Sequence, residues 1–446
     1  MRAWTCGLLS MLVACGGAQD APPDGAPRPD GGADADGGAT ADAQAPVFYM
    51  DDVLALLTDP SASVGAIDLA LAEVAREATW PLHEGTRWLF ARRWDGAPPD
   101  AALTGDWVGF ATGALPATRS ATGAHVYVLV DTGAGATEPS GLYKWWSGGG
   151  GYVAPPEATV YGYDEFGEYG RVAPPPTAHL QRFPVAAAGG VAGRTVRVRV
   201  PAGPPGRTLL LHDGQNVWDP DAFFGGWQAD VALAAPAMAD VLAVAVDNTP
   251  DRFDEYTHVA DDFGSGTVGG EADAYLAFLD DEVLPRVRAR YGVVAAGDSL
   301  ALAGSSLGGL VSLYAAMTDD TRAGCVIAMS STVGWGSFEA DLDATLIERW
   351  AGDRGHGTTA ISFDAGGNVS GSCASSDGDG VDDDADDSDN YCVNLQLHAV
   401  LLAAGYVDGV DVDFAWAPGA QHNEAAWRAR LPARLAACAA MGWAAP

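Results

Sequence analysis

Leu300-Ala301-Leu302-Ala303-Gly304-Ser305-Ser306-Leu307-Gly308-Gly309-Leu310-Val311-Ser312-Leu313-Tyr314-Ala315-Ala316 is the stretch on which the fold turns. An apolar run of strand length, 300–303, passes through Gly-x-Ser-x-Gly into an apolar run of helical character, 310–316. In that setting the glycines relieve crowding at a sharp strand-to-helix turn, and the serine hydroxyl projects above a sheet. Ser306 is the candidate nucleophile. Alone, the motif is common, and the competing reading is a glycine-rich helix start capped by Ser306; the flanking strand and helix favour the turn.

Working outward, strands alternate with helices from Arg194 onward, as a parallel sheet requires. Apolar runs at 209–211, 241–246, 325–329, 361–363 and 412–416 suit buried strands. Residues 195–200 alternate apolar and basic side chains, which predicts a half-exposed edge strand. The helical stretch 271–291 should kink or split at Pro285.

A serine hydroxyl needs a base, which this strand–turn–helix arrangement places last in chain order. His422 alone fits, in a loop after 412–416 and before the final helical stretch; His398 lies in an apolar run, and His258 and His356 come too early. The acid should follow the penultimate strand, where many carboxylates compete. Asp389, closing the loop before the next helix, is the first choice, and Asp364, at the strand end, is the second. A developing oxyanion needs two backbone donors. One is the Leu307 amide; the other should come from His212-Asp213-Gly214-Gln215-Asn216, which also reads as a plain turn.

The 446-residue chain carries 59 acidic against 24 basic residues, a formal charge of -35 that disfavours nucleic acid as a partner. Residues 1–15 have one basic residue, a short apolar run and Leu12-Val13-Ala14-Cys15, similar to a bacterial lipoprotein signal; the alternative is an ordinary secretory signal. The expectation is an exported chain anchored through a lipid on Cys15, periplasmic or cell-surface, with 16–46 as a Gly/Ala/Asp/Pro tether too poor in apolar surface to fold. Residues 47–82 form a helical segment, with an amphipathic helix carried by Val64, Ile67, Leu71, Val74 and Ala78. Residues 83–185 read as short strands between turns, a small β-sandwich, and 186–446 as the α/β unit.

His212 to Asn216, Gly226-Trp227, Asp247-Asn248 with Arg252 and Glu255-Tyr256-Thr257, the 304–309 turn and residues 419–427 together resemble the esterase family of α/β-hydrolases that includes enterochelin esterases. Thr104-Gly105-Asp106-Trp107, Tyr143-Lys144-Trp145 and residues 163–167 resemble the immunoglobulin-like domain that precedes the catalytic domain there, and also starch-binding-like modules. The resemblance implies an α/β-hydrolase fold behind a β-sandwich and oxyanion amides from Gln215 and Leu307. It also implies that Arg252, Glu255 and Tyr256 lie near a pocket mouth that Trp218 lines. Where many relatives carry an acidic residue this chain has Asn368, which turns attention to the later Asp389.

Residues 371–392 form an Asp-rich insertion in which Asp377, Asp379, Val381 (through its carbonyl), Asp383 and Asp386 match a calcium-loop spacing; a solvated acidic insertion is the equal alternative. Cys373 and Cys392 bracket it and are the favoured disulfide, while Cys325 and Cys438 form either a second bridge or two buried thiols. The function these features point to is hydrolysis of a small-molecule or polysaccharide-linked ester by a monomer needing no catalytic cofactor, with Ca²⁺ confined to a structural role. An acyltransferase using the same residues and a non-catalytic ligand-binding protein are the alternatives.

Overall fold

The computed structural model describes residues 49–446 apart from 263–265, 339–343, 368–372, 376–379 and 383–388. The apolar runs pair as parallel strands in the order Val412–Trp416, Ala360–Ala365, Ala323–Met329, Gly297–Ser305, Arg207–Leu211, Val241–Val246. Val241–Val246 and Ala323–Met329 are buried along their whole length, which explains their continuous apolar sequence: helices cover both faces of such a sheet. Two large apolar clusters flank it. One includes the helices Leu307–Thr318 and Tyr391–Ala403; the other includes the final helix Glu424–Met441.

Residues 195–200 are not at an edge. The strand Arg194–Val200 runs antiparallel between His179–Val185 and Val241–Val246. Two of its three basic side chains meet carboxylates: Arg197 binds Asp247 at 2.7 and 2.9 Å, and Arg194 binds Glu255. Through this strand the sheet continues into Val160–Asp164, Gly167–Arg171, Leu142–Trp146 and Ala102–Gly105. A separate four-stranded sheet, which includes Arg87–Arg93 and His125–Asp131, shares a core with these strands through Phe90, Val128, Leu103, Tyr143 and Trp145.

The sequence reading of residues 47–82 contained one helix where the structure has two, Met50–Thr58 and Val64–Glu77, the latter capped by Ser63. Pro285 acts as expected: the helix Ala272–Phe278 widens into a π-turn over Leu279–Val283 before resuming as Leu284–Tyr291, which accommodates a residue with no N–H. Both cysteine pairs are bonded, Cys373–Cys392 and Cys325–Cys438; the second ties the strand Ala323–Met329 to the final helix.

Candidate active site

Ser306 follows the strand Gly297–Ser305 and precedes the helix Leu307–Thr318, at φ 55° and ψ -124°. Its amide donates to Met329 O at 3.0 Å and its carbonyl accepts from Leu310 and Thr332. The turn closes because two neighbours lack side chains: a Cβ on Gly304 would collide with the Gly308 backbone, and one on Gly309 with the Ser331 hydroxyl. The Ser306 hydroxyl lies 3.4 Å from that of Thr332; among the described residues no hydrogen bond joins it to His422.

His422 precedes Asn423, whose side chain caps the final helix by accepting from the Ala426 amide. Its Nδ1 is 2.9 Å from Asp389 Oδ1. Of the two carboxylates left open by the sequence, Asp389 is therefore the one hydrogen-bonded to this histidine. Burial pushes the Asp389 carboxyl up, but the His422 hydrogen bond and charge, the Arg430 guanidinium and the Ser330 hydroxyl together hold it below its ordinary value. Asp364 is equally buried, and its carboxylate oxygens lack hydrogen-bond partners among the described residues. Burial pushes it up to about 6, against the pull of Arg430 and Arg434.

Leu307 opens its helix, so its amide has no intrahelical acceptor. Gln215 lies in the 3₁₀ turn Gly214–Asn216, entered through Asp213 at φ 59°. The turn is braced from outside. Arg252 grips both Asp213 oxygens at 2.7 and 2.8 Å, Asn248 Nδ2 donates to Asp213 at 2.6 Å, and the Asn248 amide donates to Gln215 Oε1 at 3.0 Å. His212, pushed down to about 4 by burial, is a neutral ring against Tyr275 Oη at 2.9 Å.

Arg252, Glu255 and Tyr256, expected near a pocket mouth, each face a partner within the protein. All three are buried: Arg252 binds Asp213, Glu255 binds Arg194, and Tyr256 Oη accepts from the Asp213 amide. They hold the turn that carries Gln215. Trp218 is also buried and lines a cavity of about 370 Å³ with Tyr163, Tyr169, His179 and Gln228. In the acidic insertion, Asp377, Asp379, Asp383 and Asp386 lie outside the described residues, as does Asn368. Val381 packs its side chain into the core, and Gln396 ties down the backbone beside it, binding Gly380 O and the Asp382 amide.

Residues 192–438 match the Esterase family, described as "Putative esterase". The chain belongs to this family. A curated relative, the siderophore triacetylfusarinine C esterase of Aspergillus fumigatus, is 40% identical over 69 residues, which are 16% of this chain and 23% of that protein. The chain thus spans about a quarter of the length of the curated relative it matches. Among solved structures, ferric enterobactin esterase from Salmonella typhimurium is 16% identical with a TM-score of 0.43, covering 79% of this chain and 93% of that one. An IroE-like serine hydrolase from Shewanella oneidensis is 19% identical with a TM-score of 0.44, covering 57% and 79%. The mixed α/β fold of this esterase-family chain rests on its own strand order.

Sequence reasoning missed Ser330, Arg430 and Glu424 in this esterase-family site. Trp427, Arg430 and Arg434 recur at helical spacing, a signal that one face of the final helix is buried, charges included. Ser330 carried no signal, since its φ of 48° is set by tertiary contacts. Glu424 is 2% exposed, and its Oε1 accepts from Asn216 beside the Gln215 turn at 3.3 Å. Burial pushes its carboxyl from 4.5 up to about 7. A carboxyl raised on folding binds more protons in the folded state, so stability is lost as pH rises from about 4.5 through about 7. Glu424→Gln removes that loss: its melting temperature relative to the wild type should climb between pH 5 and pH 8. A difference independent of pH would show that Glu424 does not titrate there.

Proposed function

We propose that the protein hydrolyses carboxylic esters through Ser306, His422 and Asp389 on an α/β-hydrolase scaffold. Residues 186–446 form the catalytic domain in this reading, and residues 83–185 an immunoglobulin-like β-sandwich ahead of it. The observation that carries it is His422 hydrogen-bonded to the buried, ionised Asp389, in a chain whose Ser306 stands on a positive-φ strand-to-helix turn. Membership of the Esterase family supports the same chemistry.

Asp389 accepts the Nδ1 proton of His422, which leaves Nε2 as the base. On substrate binding the Ser306 hydroxyl turns from Thr332 to Nε2, a tightening common between free and bound enzymes. Ser306 Oγ adds to the ester carbonyl carbon as its proton passes to His422, and the amides of Leu307 and Gln215 receive the oxyanion. The carbon–oxygen bond to the alcohol breaks, His422 protonates the leaving alcohol, and an acyl-serine remains. Water adds to that ester by the same route, releasing the acid and restoring Ser306. Substrates in this proposal are siderophore, aryl or acyl esters, the first in keeping with the esterase named for the Aspergillus relative.

Ser306→Ala should abolish labelling by a fluorophosphonate and lower kcat by on the order of 10⁶-fold. Asp389→Asn should cost roughly 10⁴-fold, as expected for the wrong histidine tautomer, and Asp364→Asn less than about tenfold. An active Asp389→Asn beside a dead Asp364→Asn would move the acid to the strand end.

The proposal includes export and a lipid anchor at Cys15. Cys15→Ser should move the protein from the membrane fraction to the soluble one, and an unacylated, soluble wild type would remove the anchor. It also includes Ca²⁺ in the acidic insertion, held by Asp377, Asp379, Val381, Asp383 and Asp386. Since Asp389 lies at the end of that insertion, chelation should lower kcat more than it raises KM; indifference to chelator would exclude the ion.

A further inference from the structure

Asp389 has two carboxylate oxygens with different surroundings. Oδ1 faces His422. Oδ2 accepts from the Ser330 hydroxyl at 2.6 Å, from Arg430 Nη1 at 3.0 Å and from the Gly366 amide. Arg430 also donates through Nη2 to Ser330 Oγ at 2.7 Å, so one planar fork spans the acid and the hydroxyl that supports it. Trp427 Nε1 donates to the same hydroxyl at 3.1 Å.

The third edge of the guanidinium faces a second acid. Arg430 Nε lies 3.6 Å from Asp364 Oδ1, an ion pair rather than a hydrogen bond. Arg434, the other cation near Asp364, is 3.9 Å from it and is engaged by Asp413 and Phe363 O. Arg430 therefore stands between two buried carboxylates, Asp364 and Asp389, each 1% exposed or less. Two such groups without a cation between them would compete for one proton.

We propose that Arg430 is a positioning residue of the hydrolytic site: it keeps Asp389 ionised beside Asp364 and, with Ser330, turns Oδ1 toward His422. This inference rests on the Ser306–His422–Asp389 reading. Without Arg430, a proton shared by the two carboxylates spends part of its time on Asp389, and the acid loses its hold on the histidine tautomer that accepts the serine proton. Removing Asp364 as well leaves Asp389 the sole carboxylate of the pair.

The test is steady-state hydrolysis of a p-nitrophenyl ester at pH 7.5 by purified variants. Arg430→Met should lower kcat at least 100-fold with KM within threefold. Asp364→Asn added to Arg430→Met should restore kcat at least tenfold, a recovery that a packing role for Arg430 does not give. An Arg430→Met enzyme with wild-type kcat, or a double variant no faster than the single, overturns the proposal. If Arg430→Met is unfolded by circular dichroism, Arg430→Lys decides: the charge stays but the fork is lost, so kcat should fall about tenfold at unchanged KM, and an unchanged kcat overturns it. Ser306→Ala is assayed in parallel. Turnover surviving in Ser306→Ala would sink the underlying hydrolytic reading, whereas an inactive Ser306→Ala beside normal Arg430 variants would sink this inference alone.

Discussion

Everything at the site hangs on the backbone of Ser306, held at φ 55° against the preference of an L residue. Strain of this kind costs about 1–3 kcal/mol and survives only where surrounding structure over-determines it. Here the restraint is the parallel pairing of Gly297–Ser305 with Ala323–Met329, which ends in the hydrogen bond from the Ser306 amide to Met329 O. The neighbouring strand end carries a second strained residue: Ser330, at φ 48°, donates its amide to Asp364 O and its hydroxyl to Asp389. Adjacent strand ends thus present two serine hydroxyls, that of Ser306 at the candidate site and that of Ser330 against Asp389.

The second organising feature is charge. The chain has a large acidic excess, yet several of its arginines turn inward onto carboxylates: the buried Arg182 with Glu168, Arg194 with Glu255 and Arg252 with Asp213, and the partly buried Arg197 with Asp247. Breaking one partner of such a pair leaves an uncompensated buried charge and typically costs about 3–5 kcal/mol. Two of these pairs brace the Gln215 turn, directly from Arg252 to Asp213 and one step back from Arg194 to Glu255, two residues along the chain from Thr257 and adjacent to Tyr256. Shape at the Gln215 turn is therefore an electrostatic matter as much as a steric one.

These braces give Arg252, Glu255 and Tyr256 a structural part that their place in the sequence left open. Charged and phenolic residues in a loop after a strand end are as suitable for holding a neighbouring turn as for meeting a substrate. The choice depends on whether a buried partner exists, and here the partners, Asp213 and Arg194, lie 39 and 61 residues away in sequence.

What the sequence by itself determined was local and periodic. Continuous apolar runs marked the buried parallel strands, the glycines of 304–309 marked a turn that a Cβ would block, Pro285 marked the break in a helix, and chain order singled out His422. What only the tertiary structure decided was which distant groups meet. The sequence ranked Asp389 ahead of Asp364 among many competing carboxylates, and the tertiary structure hydrogen-bonds Asp389 to His422 while Asp364 faces Arg430. The alternating residues 195–200 read as an exposed edge because alternation reports two chemically different faces; it does not report whether the polar face finds water or, as here, Asp247. Periodicity is a property of consecutive residues, whereas charge compensation and proton sharing are properties of groups that only folding brings within a few ångströms of one another.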